Sequence, residues 1–116
     1  MHEMTIVANI LKIVEDRARG AEAAAVTTVE LEVGELAGVE IDSLRFCFEA
    51  ACRDTLAAGA ELVIHRIAGR GRCPECAHET PLDFPVAVCP ECGQARVAVI
   101  HGKELKVKCI SVDGPA

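Results

Sequence analysis

Four cysteines, Cys73, Cys76, Cys89 and Cys92, follow the spacing C-x2-C-x12-C-x2-C. Two residues between thiols let both sulfurs of a knuckle reach one ion, while the intervening turn aims backbone N–H groups at them. Two such knuckles close a tetrahedral shell of four thiolates, a set that suits structural zinc. Pro74 and Pro90 stiffen the knuckles, and Gly93 supplies the tight turn after the second; Ala77 stands where a glycine fits better. A pair of redox CxxC motifs is the competing reading. Redox sites of that kind open a helix, where the thiolate is favoured, and neither motif here begins a helical pattern.

The second candidate lies at the start, MHE. A terminal amine, the His2 imidazole and the backbone nitrogens between them form small chelate rings around one ion. Backbone amides lose their protons only to a strongly polarising metal that favours square-planar nitrogen, which means Ni(II) or Cu(II). The bulk of His2 protects Met1 from removal, and Glu3 adds an amide nitrogen and a carboxylate. Among the other candidates, His78 reads as an exposed loop histidine ahead of any role beside the metal. His65 and His101 have no visible partner. Cys47, Cys52 and Cys109 fall on inward faces and read as small buried apolar residues.

These residues need elements to hold them. Val7, Ile10, Leu11, Val14 and Ala18 recur at helical spacing from Met4 to about Arg19, with Gly20 as a stop. VTTVELEVGEL alternates, so Val29, Leu31 and Val33 face one way and Thr28, Glu30 and Glu32 the other, as in a half-buried strand. Asp42 or Ser43 can cap a second helix running to about Ala57, with Leu44, Cys47, Phe48, Ala51 and Cys52 inward. ELVIHRI (61–67) and ELKVKCISV (104–112) read as two more strands, and Lys106 and Lys108 can lie opposite Glu30 and Glu32 if those strands are neighbours.

Between the last two strands, a Gly-, Pro- and Cys-rich stretch reads as an insertion entered through the flexible Gly69-Arg70-Gly71. It is too short and polar for a core of its own, so metal binding would supply its folding energy. The expected fold is α+β: a three-stranded sheet covered by two helices, with an inserted four-cysteine zinc-ribbon module. Residues 1–68 plus 104–116 form one domain and 69–103 the zinc-binding one.

Composition narrows the function. The chain of 116 residues is 51% hydrophobic but has three Phe and no Trp or Tyr, so base stacking on aromatic platforms is disfavoured. Residues 1–66 carry the whole net charge of −6, and 67–116 are balanced. Neither part has the basic footprint of a nucleic-acid surface. A zinc-ribbon module binding protein or nucleic acid is the alternative function. No Ser/His/Asp set, phosphate loop or carboxylate pair supports an enzyme. No secretory signal or membrane span is visible, and seven cysteines in such a chain favour ligands and buried thiols, which points to the cytoplasm.

MHE, VELEVGELAGVE followed by LRFCFE, CPEC…CPEC and GKELKVKCISV occur in one order and spacing from Met1 to about Val112. Together they resemble the hydrogenase nickel-insertion metallochaperone family (HypA/HybF). The resemblance implies a non-enzymatic protein that carries Ni(II) as cargo and Zn(II) as a structural ion. Nickel would be held by Met1, His2, Glu3 and Glu40, the acidic residue after GELAGV, with Asp42 a near neighbour. Zinc would be held by Cys73, Cys76, Cys89 and Cys92. Partners implied are the HypB GTPase and the large subunit of [NiFe] hydrogenase, in some organisms urease, with no nucleic acid and no membrane; the oligomeric state, a homodimer included, stays open. Some relatives carry histidines after both knuckles that tune the metal sites, whereas this chain has His78 but Gln94 at the second place.

Overall fold

The computed structural model describes residues 3–115. Helix α1 (Glu3–Gly20) is followed by strand β1 (Ala23–Gly34), helix α2 (Ile41–Cys52), strand β2 (Glu61–Ile67) and three short strands, β3 (Arg70–Arg72), β4 (Glu79–Pro81) and β5 (Ala98–His101). Strand β6 (Leu105–Pro115) closes the chain. The architecture is α+β, with two helices, a three-stranded sheet ordered β2-β1-β6, and a second small sheet ordered β4-β3-β5. Chain contacts divide it into two compact units. One holds residues 1–32, 39–65 and 106–116; the other holds 33–38 and 66–105. The segment 33–38, drawn with the first domain from the sequence, packs in the second unit.

In the first unit, α1 buries Ile6, Val7, Ile10, Leu11, Val14 and Ala18 in one stripe, the helical period of its apolar residues made solid. On β1, Val29 and Leu31 are buried and alternate with half-buried Glu30 and Glu32, as period-two patterning requires. Helix α2 packs on α1 and buries Leu44, Phe48 and Cys52. Two details differ from the sequence expectation. The N-cap of α2 is Glu40, whose Oε1 accepts from Asp42 N–H at 2.9 Å. And the helix stops at Cys52, five residues early, because the Thr55 hydroxyl donates to Cys52 C=O at 2.6 Å and accepts from Ala57 N–H at 3.1 Å. A local side-chain partner here outcompetes the helical ladder. Asp54 in the left-handed region, φ 62°, completes the break.

The second unit does have a core, contrary to expectation. Cys73, Leu82, Cys89 and Val97 are buried together, with Leu36, Ala87, Cys92, Ala95 and Val99 packed on them. Two of the four buried residues are cysteines, and Leu36 is contributed by the GELAG segment. Backbone bonds fix the segment: Leu36 N–H donates to Gly102 C=O at 2.7 Å and Glu35 N–H to Ile67 C=O at 2.8 Å. Gly69 and Gly71 are not there for flexibility. A Cβ on Gly71 would meet Leu82 Cδ1 at 2.8 Å and Val97 Cγ2 at 2.9 Å, and one on Gly69 would run into the Leu82 carbonyl oxygen. Both glycines are demanded by close packing.

Candidate metal centre

Each knuckle is a tight turn built the same way. Ala77 N–H donates to Cys73 C=O at 2.9 Å, and Gly93 N–H donates to Cys89 C=O at 3.0 Å. The residues that close the turns, Ala77 and Gly93, have φ of 64° and 65°. Glycine adopts that region freely, and alanine does so at a cost. The first knuckle is tied to the residue preceding β4 by Cys73 N–H donating to His78 C=O at 2.9 Å, the second to the following loop by Cys89 N–H donating to Ala95 C=O at 2.9 Å. Antiparallel pairing of β3 with β4 and β5 gives the knuckles a frame, which Arg70 and Arg72 clamp by ion pairs to Glu79.

The turns bring the four sulfurs together, all within 4.8 Å of one another. Cys73 and Cys92 Sγ are 3.6 Å apart, as are Cys76 and Cys89 Sγ. Four sulfurs each about 2.3 Å from a central ion stand about 3.8 Å apart, so the cage has the dimensions of a tetrathiolate site. Glu75 N–H points at Cys73 Sγ from 3.4 Å, the arrangement that stabilises a thiolate. Proton affinity is unevenly shared among the sulfurs. The N–H groups of Cys92 and Glu91 help hold the Cys89 thiol down at about 6. At Cys76 the His78 N–H works in the same direction, but burial and the three neighbouring thiols outweigh it and push the group up to about 12. Binding of a cation by the four sulfurs would release the protons that remain on them, Cys76 among them. His78 is half-buried, not the exposed loop histidine expected from the sequence, and its backbone carbonyl accepts from Cys73 N–H.

Of the other site residues, Met1 and His2 lie outside the described residues. Glu3 opens α1, and Glu40 caps α2 with its carboxylate turned onto Asp42 N–H. Asp42 is exposed in the first turn of the same helix. The two acids stand at the N-terminal ends of the two helices that pack on each other.

Three residues set aside from the sequence do have partners. His65 Nε2 lies 2.7 Å from Glu30 Oε1, and His101 Nδ1 lies 3.5 Å from Glu104 Oε2. Cys109 is not a buried apolar residue: it is half-buried, and its thiol donates to Glu30 Oε2 at 3.1 Å. That bond, with burial, pushes the Cys109 thiol up, and the Cys109 and His65 contacts pull the Glu30 carboxyl below its ordinary range. Cys47 is half-buried as well, while Cys52 is buried as expected and pushed up to about 11 by burial and by Glu15. The sequence signal for the Glu30 cluster is only that Glu30, His65 and Cys109 each fall on a segment that reads as a strand. Nothing in the sequence fixed the register that joins them. Lys106 does reach Glu32, at 3.2 Å, as the expected pairing of strands required.

A two-helix α+β fold carrying a small β-module with a tetrathiolate cage defines a metal-binding protein. Comparison with known proteins makes the class specific. The family described as hydrogenase/urease nickel incorporation, metallochaperone, hypA matches residues 1–112, and the chain belongs to it. It is 48% identical to the hydrogenase maturation factor HypA of Chlorobaculum tepidum over 97% of this chain and all of that one. It is 46% identical to that of Geobacter metallireducens at the same coverage. The solution structure of the Ni metallochaperone HypA from Helicobacter pylori shares the fold, with a TM-score of 0.73 at 23% identity over 98% of this chain and 99% of that chain. Among the described residues no helix is long and apolar enough to cross a membrane.

Proposed function

We propose that this protein binds one Ni(II) at its N-terminus and delivers it during [NiFe] hydrogenase maturation, with urease as a further acceptor in organisms that have one. The observation that carries the reading is the match to a nickel-incorporation family across residues 1–112, a span that includes MHE at one end and the four-cysteine cage near the other. The Met1 amine, the His2 imidazole and the intervening amide nitrogens form the chelate, and Glu3 and Glu40 are the proposed carboxylate ligands. Glu40 is the less committed of the two, because its carboxylate already caps α2.

The work is capture and hand-over, with no turnover. The amine, imidazole and amides lose protons as nickel binds, so affinity falls as pH drops through the imidazole and amine range. A chelate at a chain end can be offered to an acceptor and exchanged stepwise. Zn(II) is the ion we assign to Cys73, Cys76, Cys89 and Cys92, in a resident and structural role, since a closed tetrathiolate shell leaves no position for a substrate. HypB and the hydrogenase large subunit are the proposed partners, and the cytoplasm the proposed compartment. The test is calorimetry with nickel on untagged protein. His2→Ala is expected to abolish stoichiometric nickel binding and leave zinc content unchanged; wild-type nickel affinity in that variant would remove the terminal site from the account.

A further inference from the structure

We propose that Cys76 is an oxidation site, at which a peroxide converts the four-cysteine cage from a zinc shell into two disulfides that cross between the knuckles, Cys76–Cys89 and then Cys73–Cys92. The inference rests on the zinc assignment made above and adds a chemistry to the same four sulfurs. Of the seven cysteines, Cys76 alone is exposed. Cys52, Cys73 and Cys89 are buried, and Cys47, Cys92 and Cys109 are half-buried. The cage sulfurs are paired by distance as well as by access. Cys76 Sγ lies 3.6 Å from the Sγ of buried Cys89, and the Sγ of half-buried Cys92 lies 3.6 Å from that of buried Cys73. Each short pair joins one knuckle to the other, and each sets a more accessible cysteine beside a sheltered one. An attacked cysteine and its resolving partner are placed in that way.

A metal ion takes each ligand sulfur as a thiolate, so in the zinc-loaded cage access decides which one meets a peroxide first. The Cys76 sulfur attacks one peroxide oxygen. The O–O bond breaks, hydroxide leaves, and the sulfur, oxidised by two electrons, becomes a sulfenic acid. The Cys89 thiolate then attacks that sulfur: the S–S bond forms, the S–O bond breaks, and the departing hydroxide takes up a proton as water. One peroxide is consumed, and its two electrons come from the sulfur pair. Two thiolates remain where four held the ion, so zinc is released, and a second peroxide closes Cys92 onto Cys73 by the same steps. Because both links run between knuckles, the two turns stay joined after the ion has gone; disulfides within each CxxC would leave them apart. The other cysteines compete poorly. Cys52 is buried, and the Cys109 thiol keeps its proton by donating to Glu30 Oε2 at 3.1 Å.

The probe is hydrogen peroxide, added to zinc-loaded, untagged protein beside a dye that reports released zinc. Free thiols are then blocked, and the disulfides are mapped by mass spectrometry of a non-reducing digest. Cleavage after Glu75, Glu79 and Glu91 puts each of the four cage cysteines on its own peptide, so every pairing is distinguishable. Zinc content before the oxidant reads the zinc assignment by itself, and the map reads the oxidation site. The expected result is a Cys76–Cys89 link that forms first and in step with zinc release, followed by Cys73–Cys92. Dithiothreitol with added zinc restores the four thiols and the ion. Cys47→Ser and Cys109→Ser release zinc at the wild-type rate. Links within a knuckle (Cys73–Cys76 or Cys89–Cys92), first oxidation at Cys47 or Cys109, zinc release without a disulfide, or zinc retained under peroxide overturns the proposal.

Discussion

At the scale of single residues, the two knuckles differ by one methyl group. Gly93 closes the second turn at φ 65° without penalty, whereas Ala77 closes the first at φ 64° against its Cβ. Ala77→Gly is therefore expected to stabilise the four-cysteine module by about 1 kcal/mol, read as a rise in melting temperature of the zinc-loaded protein. A loss of stability would mean the turn tolerates alanine better than its dihedral suggests. Three carboxylates have lowered proton affinity in the fold: Glu30 through Cys109 and His65, Glu79 through Arg72 and Arg70, and Glu104 through backbone N–H groups and His101. A depressed carboxylate adds stability that is present above its ordinary value of 4.5 and is lost as pH falls through its lowered one. Thermal melts from neutrality into acid are expected to show stability falling below pH 4.5, with a shallower fall in Glu79→Gln. A variant with the same acid limb as the wild type would show that the Arg pairs do not couple to folding.

At the scale of elements, most of the architecture was legible because the apolar periods are clean. The 3.6-residue stripe of α1 and the Val29, Leu31, Val33 alternation of β1 each survive into burial. What stayed hidden depends on contacts that no local pattern encodes. The early end of α2 turns on the Thr55 hydroxyl, inside a stretch whose alanines read as helix. Its cap is Glu40, a residue type rarely chosen for the role, where Asp42 or Ser43 looked better placed. The glycines at 69 and 71 suggested a hinge because close packing and freedom leave the same residue in a sequence. The four cysteines were legible from spacing alone, since ligand geometry fixes it; the meeting of Glu30, His65 and Cys109 was not, since strand register decides it. Two outcomes follow from elements. Glu40→Ala is expected to cost about 0.5–1 kcal/mol in metal-free protein through loss of the cap, measured by denaturant unfolding. And Gly34→Ala is expected to cost about 3 kcal/mol or more, because its Cβ would collide with the Gly102 carbonyl, which is backbone and cannot yield. Near-neutral substitution at position 34 would mean that the strands separate there at little cost.

At the scale of the whole molecule, two compact units divide the labour. The first has an aliphatic core from two helices and a sheet. In the second, two of the four buried core residues are cysteines of the cage, so its order is expected to depend on a metal bound there. Chelation of zinc is accordingly expected to erase amide-exchange protection in residues 70–101 while α1 keeps its own; equal loss in both would mean one cooperative core. The proposed nickel chelate lies at the other end of the chain, at the Met1 amine and His2. Metal analysis after nickel challenge, comparing untagged protein with a form carrying extra residues before Met1, tests that claim most directly. The account predicts that the extended form loses nickel and keeps its zinc. One nickel retained per chain in the extended form, at the affinity of the untagged protein, would contradict it.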